Sequence, residues 1–240
     1  LNAMYHCNDK NGADAGIDVQ GSNVDITNLV NTMPEIDSLV PMLRSFQGVV
    51  TVDLTAKTSL DSVYNLLLPS LSAATVIRGD SLVLMDGETF SEVAKLLMFK
   101  KKTKNLIDNI SVELLLNNNE MQVLPFMVEM DKYKVAVGGQ NSLDMNFNYH
   151  VSVLKSPLPT KLGVNVSGTL DDMKIRLAKC KYKDEKTVTR KGQFSNGGVN
   201  LRSELQNNLR AAIRNAVNSY ATEQKERMSA VTEEKKKKQE

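Results

Sequence analysis

Tryptophan is absent from this chain of 240 residues, and aromatic residues make up only 5% of it. Single-stranded nucleic acid is held on aromatic platforms set in basic grooves, and the material for that is missing. Charge of one sign is lacking as well. Thirty basic and 28 acidic residues leave a net charge of +2, so no global field draws in a polyanion. Nucleic acid is therefore not an expected partner. Cysteine is scarce: Cys7 and Cys180 lie far apart, and a single pair does not reveal whether it is bonded. No apolar run approaches the ~20 residues needed to cross a bilayer, and no signal peptide is visible.

The side chains of chemistry are equally thin. Metal sites need clustered ligands at fixed spacing, whereas the two histidines, His6 and His150, stand alone. No metal or cofactor is expected. There is no Gly-x-Ser-x-Gly elbow, no His-Glu-x-x-His and no phosphate-cradling Gly-Lys-Ser/Thr loop. Cys180 has no evident histidine partner and reads as a buried or idle thiol. His150, among Asn and Ser on the polar face of a strand, reads as a solvent-exposed structural histidine. Asp86 and Glu88 are a carboxylate pair, but they sit two residues apart rather than across a cleft. The following Thr89-Phe90-Ser91-Glu92 fits a capping box. The pair thus reads as the joint between a strand and a capped helix, and no enzyme is expected.

What is present is a globular composition, 41% apolar and 24% charged. Residues 1–7 alternate like a strand from the first residue, so the chain reads as a fragment of a longer protein. The first hundred residues read as strands alternating with helices. Strands are expected over 16–27 and 47–60. Helices are expected over 27–45, with a break at Pro34, and over 62–71, disturbed at Pro69. After Lys104 the runs 107–116, 121–130, 132–139, 142–154, 161–168 and 173–182 read as strands. The breakers between them, such as Asn117-Asn118-Asn119 and Gly168, mark short antiparallel connections.

Alternation is cleanest where Leu143, Met145, Phe147, Tyr149, Val151 and Val153 share one face and polar residues share the other. Such a sheet is apolar on one side and wet on the other. Burying one of these side chains is worth roughly 1.5–3 kcal/mol, so something must cover that face. Residues 183–198 read as a linker. Beyond it, Leu201, Leu205, Leu209, Ile213, Val217 and Tyr220 form a narrow stripe on a long helix, suited to packing on the sheet or on a partner. The tail from Glu233 is charged and expected to fray. The expected architecture is α+β. It comprises a curved, largely antiparallel sheet with one apolar face, packed by helices from the N-terminal half, and a long C-terminal helix. The expected divisions are a β-rich domain over 1–182, the linker, and the helix over 199–240.

The helix before Lys100 carries "KLLMFK", and the strands after it read "ISVELLLNNNEMQVLPFMVEMDKYKVAVGGQNSLDMNFNYHVSVL". In phrasing and order, the stretch from about Phe46 to Lys181 resembles the C-terminal region of the AsmA family. The resemblance implies a non-enzymatic periplasmic module from the Gram-negative envelope. It implies an inner-membrane anchor supplied by an N-terminal helix outside this chain, and a role in outer-membrane biogenesis. It further implies an apolar β-groove that takes phospholipid acyl chains. The groove wall would then comprise Phe126, Val128, Met145, Phe147, Tyr149, Leu162, Val164 and Ile175. Lys100, Lys101, Lys102 and Lys104 read by default as a solvated helix end, and would meet lipid headgroups if the groove reading holds. The alternative is a structural or assembly factor of the envelope, docking a protein partner through the C-terminal stripe.

Overall fold

The computed structural model describes residues 1–8, 12–32, 41–84, 93, 95–97, 105–130, 132–142, 144, 146–157, 161–169, 171–192, 195–196 and 199–237. Eleven strands build one open sheet. They are β1 (Asn2–Asn8), β2 (Gly12–Asp25), β3 (Phe46–Gln47), β4 (Val49–Leu60), β5 (Ser72–Leu84) and β6 (Asn105–Asn117). They continue as β7 (Glu120–Met130), β8 (Tyr133–Ser142), β9 (Phe147–Lys155), β10 (Gly163–Gly168) and β11 (Met173–Ala178). The order is β1-β2-β4-β5-β6-β7-β8-β9-β10-β11, with β3 beside β5, and β1 and β11 are the edges. Apart from β3, neighbours in sequence are neighbours in space, and every pairing is antiparallel. The α+β class expected from the sequence holds.

Local chemistry explains the meander. Asn118 and Asn119, both at positive φ (52° and 63°), join β6 to β7. Paired left-handed residues match the twist of a two-residue hairpin, and asparagine tolerates them best after glycine. Pro125 cannot donate to a ladder, and it lies where the β7–β8 register shifts between Val123 and Phe126. The β5–β6 ladder skips Asp80 and Asn109, the latter at φ 50°. Beyond that irregularity Leu82, Leu84 and Ile107 join the same core as Ile77 and Ile110.

One hydrophobic cluster runs along one face from Val24 on β2 to Ile175 on β11. Short pieces cover part of it: helix α1 (Ile26–Thr32), through Ile26 and Val30, and a helical turn bearing Val93 and Leu97. In that turn the Leu97 N–H donates to the Val93 carbonyl at 2.9 Å. A smaller cluster of Ala73, Leu116 and Met121 continues the face toward the β4–β5 turn.

The helices of the N-terminal half are fewer than expected. Of 27–45, residues up to Thr32 belong to α1 and Pro41–Ser45 form a 3-10 turn. Residues 62–71 are not an α-helix: Tyr64 sits at φ 67°, and only Leu68–Ser70 form a 3-10 turn. The capping box at 89–92 lies outside the described residues. The expected linker contains a helix, α2 (Glu185–Gly192). Asp184 caps it, its carboxylate accepting from the backbone N–H and hydroxyl of Thr187 at 2.7 and 2.6 Å. Val188 on α2 is buried against Ala136 and Tyr182. The short strands Ser195–Asn196 (β12) and Val199–Asn200 (β13) pair with each other. The last described helix, α3 (Leu201–Lys237), follows.

Candidate functional site

The expected groove wall divides in two. Val128 and Val164 are core, the latter with no exposed surface at all. Phe126, Phe147, Tyr149, Leu162 and Ile175 are half-buried and pack against that core. They share a face because strand side chains alternate and the register aligns them: Phe147 opposite Gly168, Tyr149 opposite Val166, Val166 opposite Ile175. The Phe147 and Tyr149 rings are tilted, with centroids 6.3 Å apart. The Tyr149 hydroxyl donates to the Asn141 side-chain oxygen at 2.7 Å. Burial pushes the Tyr149 phenol up to about 12, so it offers this face a hydrogen bond and no charge. Met145, Lys100, Lys101, Lys102 and Lys104 lie outside the described residues, as do Asp86 and Glu88.

The opposite face is more polar and is covered by directional contacts as well as by smaller apolar ones. The first half of α3 crosses it at β2 and β4. The Arg210 guanidinium bridges Asp18 at 3.0 Å and Asp53 at 2.6 Å, and the Gln206 side chain adds a bond to Asp53 at 3.1 Å. Ile213 is buried over Gly16, where an added Cβ would come within 2.9 Å of the isoleucine. Burial alone would raise the Asp18 carboxyl. Hydrogen bonds from Arg210 and Thr55, with the guanidinium charge, outweigh it and hold the carboxyl below its usual range. The stripe expected on this helix is therefore split. Leu209 and Ile213 are buried and Leu205 half-buried, whereas Val217 is 44% and Tyr220 56% exposed. Leu201 begins the helix.

Over β7 to β10 the same polar face holds a cleft of about 680 Å³, lined among others by Gln140, Asn148, His150, Asn165, Lys181 and Tyr182. Here one expectation is overturned: His150 is buried, not solvent-exposed. The segment after β11 folds back over it. His150 Nε2 accepts from the Lys181 backbone N–H at 3.1 Å and lies 2.9 Å from the Ser152 hydroxyl. With Nε2 an acceptor, Nδ1 carries the proton and donates to the Asn165 side-chain oxygen. Serine, histidine and a carboxamide are thus aligned as in a nucleophilic triad, but the serine is sealed. Ser152 has no exposed surface, and its oxygen already accepts from the Lys181 and Tyr182 N–H groups at 2.9 and 3.2 Å. A nucleophile needs a free lone pair and an open approach, and this one has neither. The arrangement pins the chain after β11 to the sheet. Cys180 joins it, its thiol 3.0 Å from the Leu162 carbonyl.

Among the described residues no group of three or more His, Cys, Asp or Glu side chains is placed to hold a metal ion. No described helix is long and apolar enough to cross a membrane. Fold and site together define a class: an open antiparallel sheet, apolar on one face and clamped by helices on the other. Comparison with protein-family models, with curated proteins and with solved structures finds no match to this chain.

Proposed function

We propose that the chain is a non-enzymatic lipid-binding module whose apolar sheet face holds phospholipid acyl chains. One observation carries the reading. A single apolar face extends from β2 to β11, and only short helical pieces cover it among the described residues. Acyl chains need apolar walls and no catalytic group. The half-buried Phe126, Phe147, Tyr149, Leu162 and Ile175 supply such walls on β7, β9, β11 and the segment before β10. Val128 and Val164 lie beneath them as support. The resemblance to the AsmA family suits this use. On that reading the module works in the periplasm, anchored to the inner membrane by a helix outside this chain, in outer-membrane biogenesis. Native mass spectrometry of protein purified without detergent tests it. Phospholipid adducts that fall on Phe147→Asp substitution are expected. Lipid-free protein from every preparation would contradict it.

A second reading rests on the far half of α3. Val217, Tyr220, Met228 and Val231 are exposed on a helix whose first half is docked. A helix that leaves the sheet with apolar residues uncovered suits a structural or assembly factor of the envelope. Copurification of an envelope protein, lost when the residues beyond Tyr220 are removed, would favour it.

A further inference from the structure

The β4–β5 connection carries an apolar tip. Val63, Tyr64, Leu66, Leu67 and Leu68 are each between 42% and 71% exposed. Scattered exposed apolar residues are ordinary on a protein surface, but five within six positions form a patch that marks an interaction surface.

The tip is built, not merely loose. The Asp61 carboxylate accepts from the N–H groups of Val63 and Asn65 at 2.9 and 2.8 Å, and from the Asn65 side chain at 3.0 Å. The Asp61 N–H donates to the Asn65 carbonyl, and the Tyr64 N–H to the Asp61 carbonyl. The Asn65 hydrogen bonds hold the Asp61 carboxyl below its usual range. Tyr64 is kept at φ 67°, a left-handed conformation unfavourable for a bulky residue. Ser70 closes the other end through the Leu67 carbonyl at 2.7 Å and the Ser59 N–H at 2.8 Å. The backbone polar groups are thus largely satisfied within the loop, while the apolar side chains are left outside.

Its surroundings narrow what it meets. In a meander the β4–β5 turn lies at the same end as the β6–β7, β8–β9 and β10–β11 turns, and, with Ala13 opposite Leu60, as the β1–β2 connection, whose turn residues 9–11 lie outside the described residues. Their described residues, with the first residue of β7, include Asp61, Glu120, Asp144, Asp171 and Asp172, and no lysine or arginine. Lys174, on β11, is paired with Asp172 at 3.1 Å. These described turns offer no cation to an anionic surface, so attachment through them comes from apolar burial and interfacial tyrosine. The Tyr5 ring, on the edge strand, lies 6.2 Å from that of Tyr64. The tip also continues the apolar face: Leu66 bridges to Leu60, and Leu71 packs on the Ala73, Leu116 and Met121 cluster.

We propose that residues 63–68 are a membrane-docking tip that enters the interfacial region of a zwitterionic bilayer. Docking itself does not require acyl chains on the sheet face, so the two proposals stand or fall separately. If both hold, the tip brings the open end of the apolar face against the lipid from which chains are drawn.

The lack of tryptophan supplies the probe. Tyr64→Trp places a single indole on the tip of the full chain, mixed with pure phosphatidylcholine vesicles or vesicles containing phosphatidylglycerol. The expected result is a blue shift with phosphatidylcholine alone, quenching by brominated acyl chains, and little sensitivity to salt. In flotation assays, Val63→Ser, Leu66→Ser and Leu67→Ser combined should lower vesicle binding by about tenfold or more, since interfacial binding scales with buried apolar area. The circular dichroism spectrum of this variant should be unchanged. Three results would overturn the proposal: no shift with phosphatidylcholine, binding that needs anionic lipid and disappears in high salt, or undiminished binding by the triple variant. A dimer that dissociates in the triple variant, without vesicle binding, would reassign the tip to a second copy of the chain.

Discussion

The two faces of this sheet are covered by different physics. On one, a hydrophobic cluster spans β2 to β11 beneath short covers that meet it through undirected apolar contact. On the other, α3 is fixed by Arg210 to two aspartates, and the segment after β11 is fixed by Ser152 and His150. Undirected contact tolerates exchange of what lies on top, because one apolar group replaces another at little cost. Directional contact does not, because a removed partner leaves a polar group stranded. The difference assigns roles: the apolar face suits a changeable occupant, and the polar face suits permanent cover.

The largest predicted effect lies beneath the apolar face. Ile107 is almost fully buried, so Ile107→Ala should lower unfolding stability by about 2–5 kcal/mol in urea denaturation. Phe126→Ala, at a half-buried position on the same face, should cost less while lowering phospholipid recovery. If the two cost the same, that face is a uniform filled core and the distinction fails.

Breaking the polar face should loosen one element and not the sheet. Arg210→Ala removes two charge-assisted bonds, with an expected loss of about 1.5–3 kcal/mol. Hydrogen exchange should accelerate across the first half of α3 while β6 to β9 keep their protection. Acid should act similarly. The Asp18 carboxyl is held lower in the folded chain than in the unfolded one. Its contribution is thus fully present above the ordinary carboxylate value, and is lost as pH falls through the lowered folded one. Exchange protection of α3 that does not change from neutral pH to below that range would contradict this.

Ser152→Ala is a smaller perturbation. It removes the oxygen that accepts from the Lys181 and Tyr182 N–H groups and leaves the His150 ring as acceptor for Lys181, at a cost of about 1–2 kcal/mol, and should move the His150 ring resonances in NMR spectra. Smallest of all, Val217→Ser with Tyr220→Ser should change stability by less than about 0.5 kcal/mol, because both side chains are on the exposed part of the helix. A larger loss would mean that the far half of α3 is packed in solution.

Much of the sheet was legible because its signal is local. Alternation with period two, interrupted by Asn117-Asn118-Asn119 and Gly168, marks strands and turns within a few residues. The helix expected over 62–71 failed because its leucines sit at helical spacing while Asp61 and Asn65 bond the backbone into a turn instead. Helix α2 escaped notice because only Val188 on it is shown buried, too little for a stripe. The burial of His150 was illegible for a different reason. Its cover comes from residues about thirty positions later, at Lys181 and Tyr182, and no local pattern announces it. The clamp on α3 is more distant still: Arg210 is 192 residues from Asp18 and 157 from Asp53. The apolar wall could be read from alternation, but not its division into core and half-buried surface, which depends on what lies above it.

The central claim is that the two faces differ in what they accept. Photoreactive side chains placed one at a time at Phe147 and at Gln140 put a probe on each face, and crosslinking in cells followed by lipid detection compares them directly. Lipid captured at Phe147 and not at Gln140 is the predicted result. Capture at neither position, or equally at both, would contradict it.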